Sequence, residues 1–250
     1  MLKKRIIRLI LLKDEKIVKG KNFTGHIPVG SPTSTVKVYI SQCADEILLI
    51  DISQKNDDSV LRLIKDASCN CNVPFTVGGK IKNINYIREL LLSGADKVLI
   101  TSEATNNIRF IEESAKIYGS QCIVAGLDYK KIDNKYKVFS NSGKSETNLD
   151  FFEYVDRLQD FGAGEILLNS IDRDGMMTGY DLELINDVSS KLRIPVIACG
   201  GAGSFDHIED LFKKTKASAA ACASIFNFSD NNPFRLRAYL KNKGILVREF

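Results

Sequence analysis

Two glycine loops, each paired with a nearby hydroxyl or small residue, are the features of this 250-residue chain best suited to holding a ligand. Gly78-Gly79 and Gly200-Gly201-Ala202-Gly203 each follow a short apolar run, and Thr101-Ser102 and Ala223-Ser224 each end another. Glycine lets backbone N–H groups come close to a phosphate, and a hydroxyl where a helix begins adds a donor. The second set also draws on Gly175, from the run IDRDGMMTG. In the first set Lys80 follows the glycine pair, which adds charge but reduces closeness of approach. A single glycine pair is usually a turn between strand and helix. Two sets at equivalent places point to a small molecule carrying phosphate at both ends. Four charged residues, Arg5, Glu46, Lys97 and Glu165, begin apolar runs. On spacing alone they make a salt-bridged floor beneath a sheet.

These residues need a scaffold, and the hydrophobic pattern supplies one. Strands are expected at Arg5–Leu11, Glu46–Asp51, Pro74–Val77, Lys97–Thr101, Cys122–Asp128, Glu165–Ser170, Pro195–Cys199 and Ser218–Ser224. Their unbroken apolar character suits strands covered on both faces, as in a parallel sheet. Amphipathic stretches lie between them, at Ile84–Leu92, Phe151–Phe161, Asp206–Phe212 and Phe234–Leu240, and the first two stop just before glycines. Such alternation over this length predicts an α/β fold, a (β/α)8 barrel occupying 1–250 as one domain, with an open doubly wound sheet as the competing topology. The halves also repeat one another. DEILLIDI (45–52) matches GEILLNSI (164–171), and PFTVGG (74–79) matches PVIACGG (195–201). Aligning RIIRLILL with CIVAGLDY sets Leu11 opposite Asp128.

Composition narrows the function classes. Hydrophobic residues make up 44% and charged residues 26%, an ordinary soluble balance that excludes a disordered chain or a membrane bundle. The net charge of +4 is small and spread, so neither nucleic acid nor an anionic membrane is an expected partner. There is no CxxC pair and only two histidines, so no zinc site is expected. Cys122, Cys199 and Cys222 lie in apolar runs and read as buried reduced thiols. The start, MLKKRIIRLILLKDEK, lacks the long apolar core and cleavage site of a signal peptide. A cytoplasmic protein is the expectation. His26 and His207 read as surface or helix-start residues.

The runs VKGKNF (18–23), FTVGGKI (75–81), GADKV (94–98), GAGEILLNSIDRDG (162–175), GYD (179–181) and GGAGS (200–204) resemble the cyclase subunit of imidazole glycerol phosphate synthase. The resemblance spans almost the whole chain. It implies a barrel docked on a glutaminase subunit, with ammonia passing up the interior to a bisphosphorylated ribonucleotide at the top, and with no cofactor. It implies that Arg5, Glu46, Lys97 and Glu165 form a gate for ammonia, that Asp96 faces the glutaminase, and that Lys19 contacts substrate. It places phosphate contacts at Gly79, Thr101, Ser102, Asp174, Gly175, Gly201, Ala223 and Ser224.

The family works with two aspartates, one giving a proton while the other takes one. Asp128 matches the second; the first falls on Leu11, which cannot handle a proton. Asp14, Asp51 and Asp174 are other carboxylates near the rim, Asp51 reading as structural and Asp174 as either ligand contact or turn former. Asn169 and Thr101 stand where the family usually has Thr and Asn. The gate is therefore expected intact and the chemistry altered. Divergent members of the family are held to supply ammonia, with a paired glutaminase, to a sugar amidotransferase, and the chain resembles a candidate for that role. An active cyclase and a phosphate-binding scaffold are the alternatives.

Overall fold

A computed structural model describes residues 3–53, 58–68 and 73–249. Its first half runs β1 (Arg5–Lys13), β2 (Lys16–Lys21), β3 (Thr24–Gly30), α1 (Pro32–Ser41), β4 (Glu46–Asp51), α2 (Ser59–Ser68), β5 (Phe75–Gly78), α3 (Ile84–Leu92), β6 (Lys97–Ile100), α4 (Ser102–Asn106) and α5 (Arg109–Tyr118). The second runs β7 (Ile123–Ile132), β8 (Lys135–Ser140), β9 (Ser145–Asp150), α6 (Phe151–Asp160), β10 (Glu165–Ser170), α7 (Leu182–Lys191), β11 (Val196–Cys199), α8 (Phe205–Lys214), β12 (Ala219–Cys222), α9 (Ser224–Asn227) and α10 (Pro233–Asn242). A one-turn 3₁₀ segment at Ser120–Cys122 joins them. The order of strands and helices in the second half is that of the first, so the repeat seen in the sequence is carried by the architecture.

Strands β1, β4, β5, β6, β7, β10, β11 and β12 pair in parallel, and β12 returns to β1, closing a (β/α)8 barrel. The open doubly wound alternative is thereby excluded. Alternation along β1 sorts its side chains: Ile7, Leu9 and Leu11 join an interior cluster, while Ile6, Ile10 and Leu12 join the core beneath the helices. The interior cluster includes Leu48, Leu99, Val124, Leu167 and Ile197, and β12 adds only the small Ala219 and Ala221. Side-chain caps fix helix starts: Asn83, Asp150, Ser204 and Asn232 each accept a backbone N–H from the first turn.

All eight expected strands are present. β1 and β7, however, run past their expected ends into antiparallel extensions, β2–β3 and β8–β9, that the sequence pattern did not reveal. The turns after β1, β2 and β7 place residue pairs Asp14-Glu15, Asn22-Phe23 and Asp133-Asn134 in the left-handed region. Two-residue hairpin turns demand that conformation, but none of these pairs contains glycine, so the usual signal is missing.

Among the described residues Cys43, Cys122, Cys199 and Cys222 are free thiols. Cys199 and Cys222 are buried as expected, whereas Cys122 is only half-buried because it ends the 3₁₀ turn. Cys69 and Cys71 lie outside the described residues. No helix among the described residues is long and apolar enough to cross a membrane.

Candidate functional site

The C-terminal ends of the barrel strands gather most of the chemistry-bearing residues. Asp128 ends the inward-facing row of β7. Its Oδ1 accepts a hydrogen bond of 3.0 Å from Nδ2 of Asn169 on β10, the directly paired strand position. Burial, with a smaller push from the charge of Asp174, raises the Asp128 pKa to about 7, against the opposing effect of the Asn169 bond. Such a carboxyl can give or take a proton near neutrality. The other amide atom, Asn169 Oδ1, is buried with no partner. Across the rim Leu11 packs on the interior cluster with Ile50. An aliphatic side chain thus stands where the repeat puts a carboxylate in the other half.

The carboxylates of Asp51 and Asp174 are engaged elsewhere. Asp51 Oδ1 accepts from the Ser53 N–H and hydroxyl at 2.9 and 2.6 Å, and Lys80 Nζ lies 2.6 Å from Asp51 Oδ2. Asp51 is accordingly structural, and Lys80 lies across the first glycine loop. Asp14 sits in the β1–β2 turn, its N–H held by Ser53 Oγ at 2.9 Å. Asp174 pairs with Lys19 at 2.9 Å, and both are buried. This pair fastens the β2–β3 hairpin to the loop after β10. Asn22 strengthens the join: its N–H reaches the Asp174 carbonyl, and its side-chain amide reaches the carbonyls of Ile171 and Asp172.

The two glycine loops adopt matching shapes. Gly79 (φ +98°) and Gly201 (φ +110°) are left-handed, and a Cβ on either would lie 2.0 Å from a carbonyl oxygen, of Asp51 and of Gly179 respectively. Thr101 (φ −114°, ψ −80°) and Ala223 (φ −126°, ψ −70°) share an unusual conformation where β6 and β12 pass into short helices. The second loop opens as a cleft whose walls include Asp174, Gly175, Gly201, Ala223 and Ser224. His207, expected at the surface or at a helix start, stands in the first turn of α8, and its Nδ1 accepts the Gly203 N–H at 3.2 Å and sets the loop's path. Ser102 in the first set is occupied differently, its Oγ accepting the Asn141 N–H from the β8–β9 turn at 3.0 Å.

At the opposite end the four charges close a ring. Arg5 bonds Glu46 at 2.9 Å and pairs with Glu165; Lys97 bonds Glu46 at 3.1 Å and Glu165 at 2.6 Å. Thr76 Oγ1 adds a 2.5 Å bond to Glu46 Oε1. Positive and negative groups alternate, so each carboxylate faces two cations. Burial alone would raise the Glu165 pKa, but Arg5 and Lys97 outweigh it and hold it below the usual carboxylate value. Asp96, adjacent to Lys97, is exposed, and its carboxylate accepts the Phe75 N–H at 2.8 Å, giving it a structural duty at the start of β5.

The sequence pattern of the family described as histidine biosynthesis protein matches residues 5–231. A relative from Hydrogenobaculum sp. (strain Y04AAS1), imidazole glycerol phosphate synthase subunit HisF, is 45% identical over 251 residues, covering 99% of this chain and 100% of the relative. The chain belongs to the HisF family. HisF subunits from Clostridium botulinum (strain Okra / Type B1) and Lactococcus lactis subsp. cremoris (strain MG1363) are 40% and 43% identical, covering 99% and 92% of this chain. Within this HisF-family barrel the rim unites Asp128, Asn169, Lys19, Asp174, Gly175, Gly201, Ala223 and Ser224, and the floor unites Arg5, Glu46, Lys97 and Glu165.

One residue of consequence escaped sequence reasoning. Arg8 is fully buried on the outer face of β1, its guanidinium 4.0 Å from the Tyr39 ring centroid. The only signal was a lone arginine inside the apolar run RIIRLILL.

Proposed function

We propose that this chain is the barrel subunit of a glutamine-dependent synthase. A glutaminase docks on the face where the strands begin, beside Asp96, and ammonia enters past Arg5, Glu46, Lys97 and Glu165. It emerges at the opposite rim, where the two glycine loops hold a ligand phosphorylated at both ends: Gly79, Thr101 and Ser102 on one side, Gly175, Gly201, Ala223 and Ser224 on the other. Lys19 and Asp174 close over it from the β2–β3 hairpin and the loop after β10. The protein works in the cytoplasm and needs no cofactor. Its chemistry at the rim has diverged: Asp128 is the acid–base group, and Leu11 withholds the second, so cyclisation is slow and the ammonia goes to a different acceptor, a sugar amidotransferase being the candidate.

The observation that carries this reading is the contrast between the two ends of one barrel. Four charges spaced over 160 residues of sequence still meet in one alternating ring at the floor. A small neutral base can pass such a ring by displacing one ion pair, whereas an ion would have to leave water against fixed charges. At the rim, by contrast, Asp128 faces an aliphatic wall at Leu11. The test is to mix the chain with a glutaminase of the same family and measure glutamine hydrolysis. A complex and stimulated hydrolysis are expected; neither appearing would contradict the reading.

The reading as an active cyclase has one observation in its favour. Asp174 is near enough for its charge to raise the Asp128 pKa, so a second carboxylate acts on the rim even without one at position 11. Replacing Asp174 by Asn separates the two. Under the diverged reading cyclisation is already slow and changes little, whereas an active enzyme relying on Asp174 loses about 10²–10⁴-fold.

A further inference from the structure

We infer that Arg8 is a positioning residue for the second phosphate cradle, aiming the backbone N–H groups of Ala223 and Ser224 at the ligand. The inference rests on the proposed phosphate site and adds to it a residue at which no phosphate contact is expected.

Arg8 lies level with Cys222 in the β1–β12 ladder. Its Nη1 donates to the carbonyl oxygens of Cys222 at 3.3 Å and Ala223 at 2.7 Å, and its Nη2 donates to Oδ1 of Asn227. Tyr39 and Phe226 flank it, with ring centroids 4.0 and 5.7 Å from its central carbon. Among the described residues its Nε has no partner, and none of the contacts above is a carboxylate. A fully buried cation spent on neutral acceptors is expensive for stability alone. Burial lowers its pKa only to about 10, so it stays charged at neutral pH.

A trans peptide carries its N–H opposite its C=O. Fixing the carbonyls of Cys222 and Ala223 on the guanidinium therefore turns the N–H groups of Ala223 and Ser224 away from it. The cleft lined by Gly201, Ala223 and Ser224 lies at those same residues. The positive charge behind the carbonyls also polarises both peptide groups, which makes their N–H ends better donors to an anion. Asn227, at the far end of the contact, keeps the guanidinium from swinging out.

The other half of the molecule supplies an internal comparison. Under the repeat that sets Leu11 against Asp128, Arg8 falls on Ala125. Ala125 lies level with Ile100 in the β6–β7 ladder, one residue before Thr101, as Cys222 lies one residue before Ala223. Thr101 and Ala223 share their backbone conformation, so the unusual shape does not itself require the arginine. What the arginine adds is charge and restraint, and only beneath the second cradle. The second cradle is therefore the tighter of the two.

The experiment titrates ¹⁵N-labelled chain with inorganic phosphate and follows the amide signals of Ala223 and Ser224. The wild type should saturate at these amides before Thr101 and Ser102 respond. Arg8→Met, which keeps most of the bulk, should bind about tenfold more weakly, equal to about 1.4 kcal/mol. Arg8→Lys keeps the charge and should recover part of the loss. Where Arg8→Met does not fold, Asn227→Ala loosens the guanidinium and should weaken binding about threefold. No response at Ala223 and Ser224 in the wild type would remove the phosphate site itself. A wild-type response with unchanged affinity in Arg8→Met, or in Asn227→Ala where that variant stands in for it, would leave the site standing and overturn the assignment of Arg8.

Discussion

Leucine 11 points into the barrel, level with a row of apolar side chains, while its counterpart Asp128 points into the same space from the opposite half. One can exchange a proton and the other cannot. The Leu11→Asp variant should gain cyclase activity of about 10²-fold or more, measured with the bisphosphorylated aminoimidazole carboxamide ribonucleotide and ammonium salt; no gain would mean that the rim has changed beyond this residue. Asp128 itself sets a pH dependence. With its pKa raised to about 7, any step in which it accepts a proton should speed up as pH rises through that value. Its burial has the opposite effect on stability. Between the ordinary carboxylate pKa and about 7 the folded state holds the extra proton, so Asp128 makes unfolding easier as pH rises across that window. Replacing Asn169 by Leu removes the hydrogen bond that favours the charged form, and the rising limb of the rate profile should move to higher pH. Leu11 and Asp128 were legible as counterparts from the internal repeat. The raised pKa was not legible there, because it depends on burial and on Asp174, which reaches the rim from a different loop.

The two hairpin extensions, β2–β3 and β8–β9, are where sequence reasoning lost track of the elements. The turns after β1, β2 and β7 are built from Asp-Glu, Asn-Phe and Asp-Asn pairs, which must adopt left-handed φ without the help of glycine. That strain is held by contacts made elsewhere in the chain. Phe23, at φ +63°, packs beside Gly143 in the β8–β9 turn, and Asn22 next to it binds three carbonyls of the loop after β10. Long-range docking of this kind leaves no local signal. Taken without the family resemblance, Lys19 has the look of a solvated surface charge, and its burial against Asp174 leaves no local signal either. Lys19→Met should strand a buried carboxylate and free the hairpin, at a cost of about 3 kcal/mol. Amide hydrogen exchange over residues 16–30 should rise sharply while the barrel strands keep their protection. Unchanged exchange would show that Asn22 alone suffices. Strands β4 and β10, by contrast, begin and end where the apolar pattern places them, because strands buried on both faces carry unbroken hydrophobic runs.

At the scale of the whole molecule, one barrel joins a charged floor to a rim where Asp128 stands opposite Leu11. Its two halves share an order of elements, and closure follows from eight strands pairing in sequence. That much was readable from spacing, since the repeat constrains both halves at once. The charged floor was expected from spacing as well, but the alternation in which each carboxylate meets both cations appears only once closure brings Arg5, Glu46, Lys97 and Glu165 together. The ring makes a prediction about acid. Glu165 has its pKa held down in the folded state, so its contribution to stability is full above the ordinary glutamate value and is lost as pH falls through the depressed one. Lys97→Met removes one of its two cations and should move acid unfolding, followed by circular dichroism, to higher pH.

The most direct measurement compares this chain with its Hydrogenobaculum relative in one assay, using purified subunits, the bisphosphorylated ribonucleotide and ammonium salt at high pH. Turnover at least about a hundredfold below the relative's is expected, with intact glutaminase stimulation. Equal turnover would contradict the diverged reading.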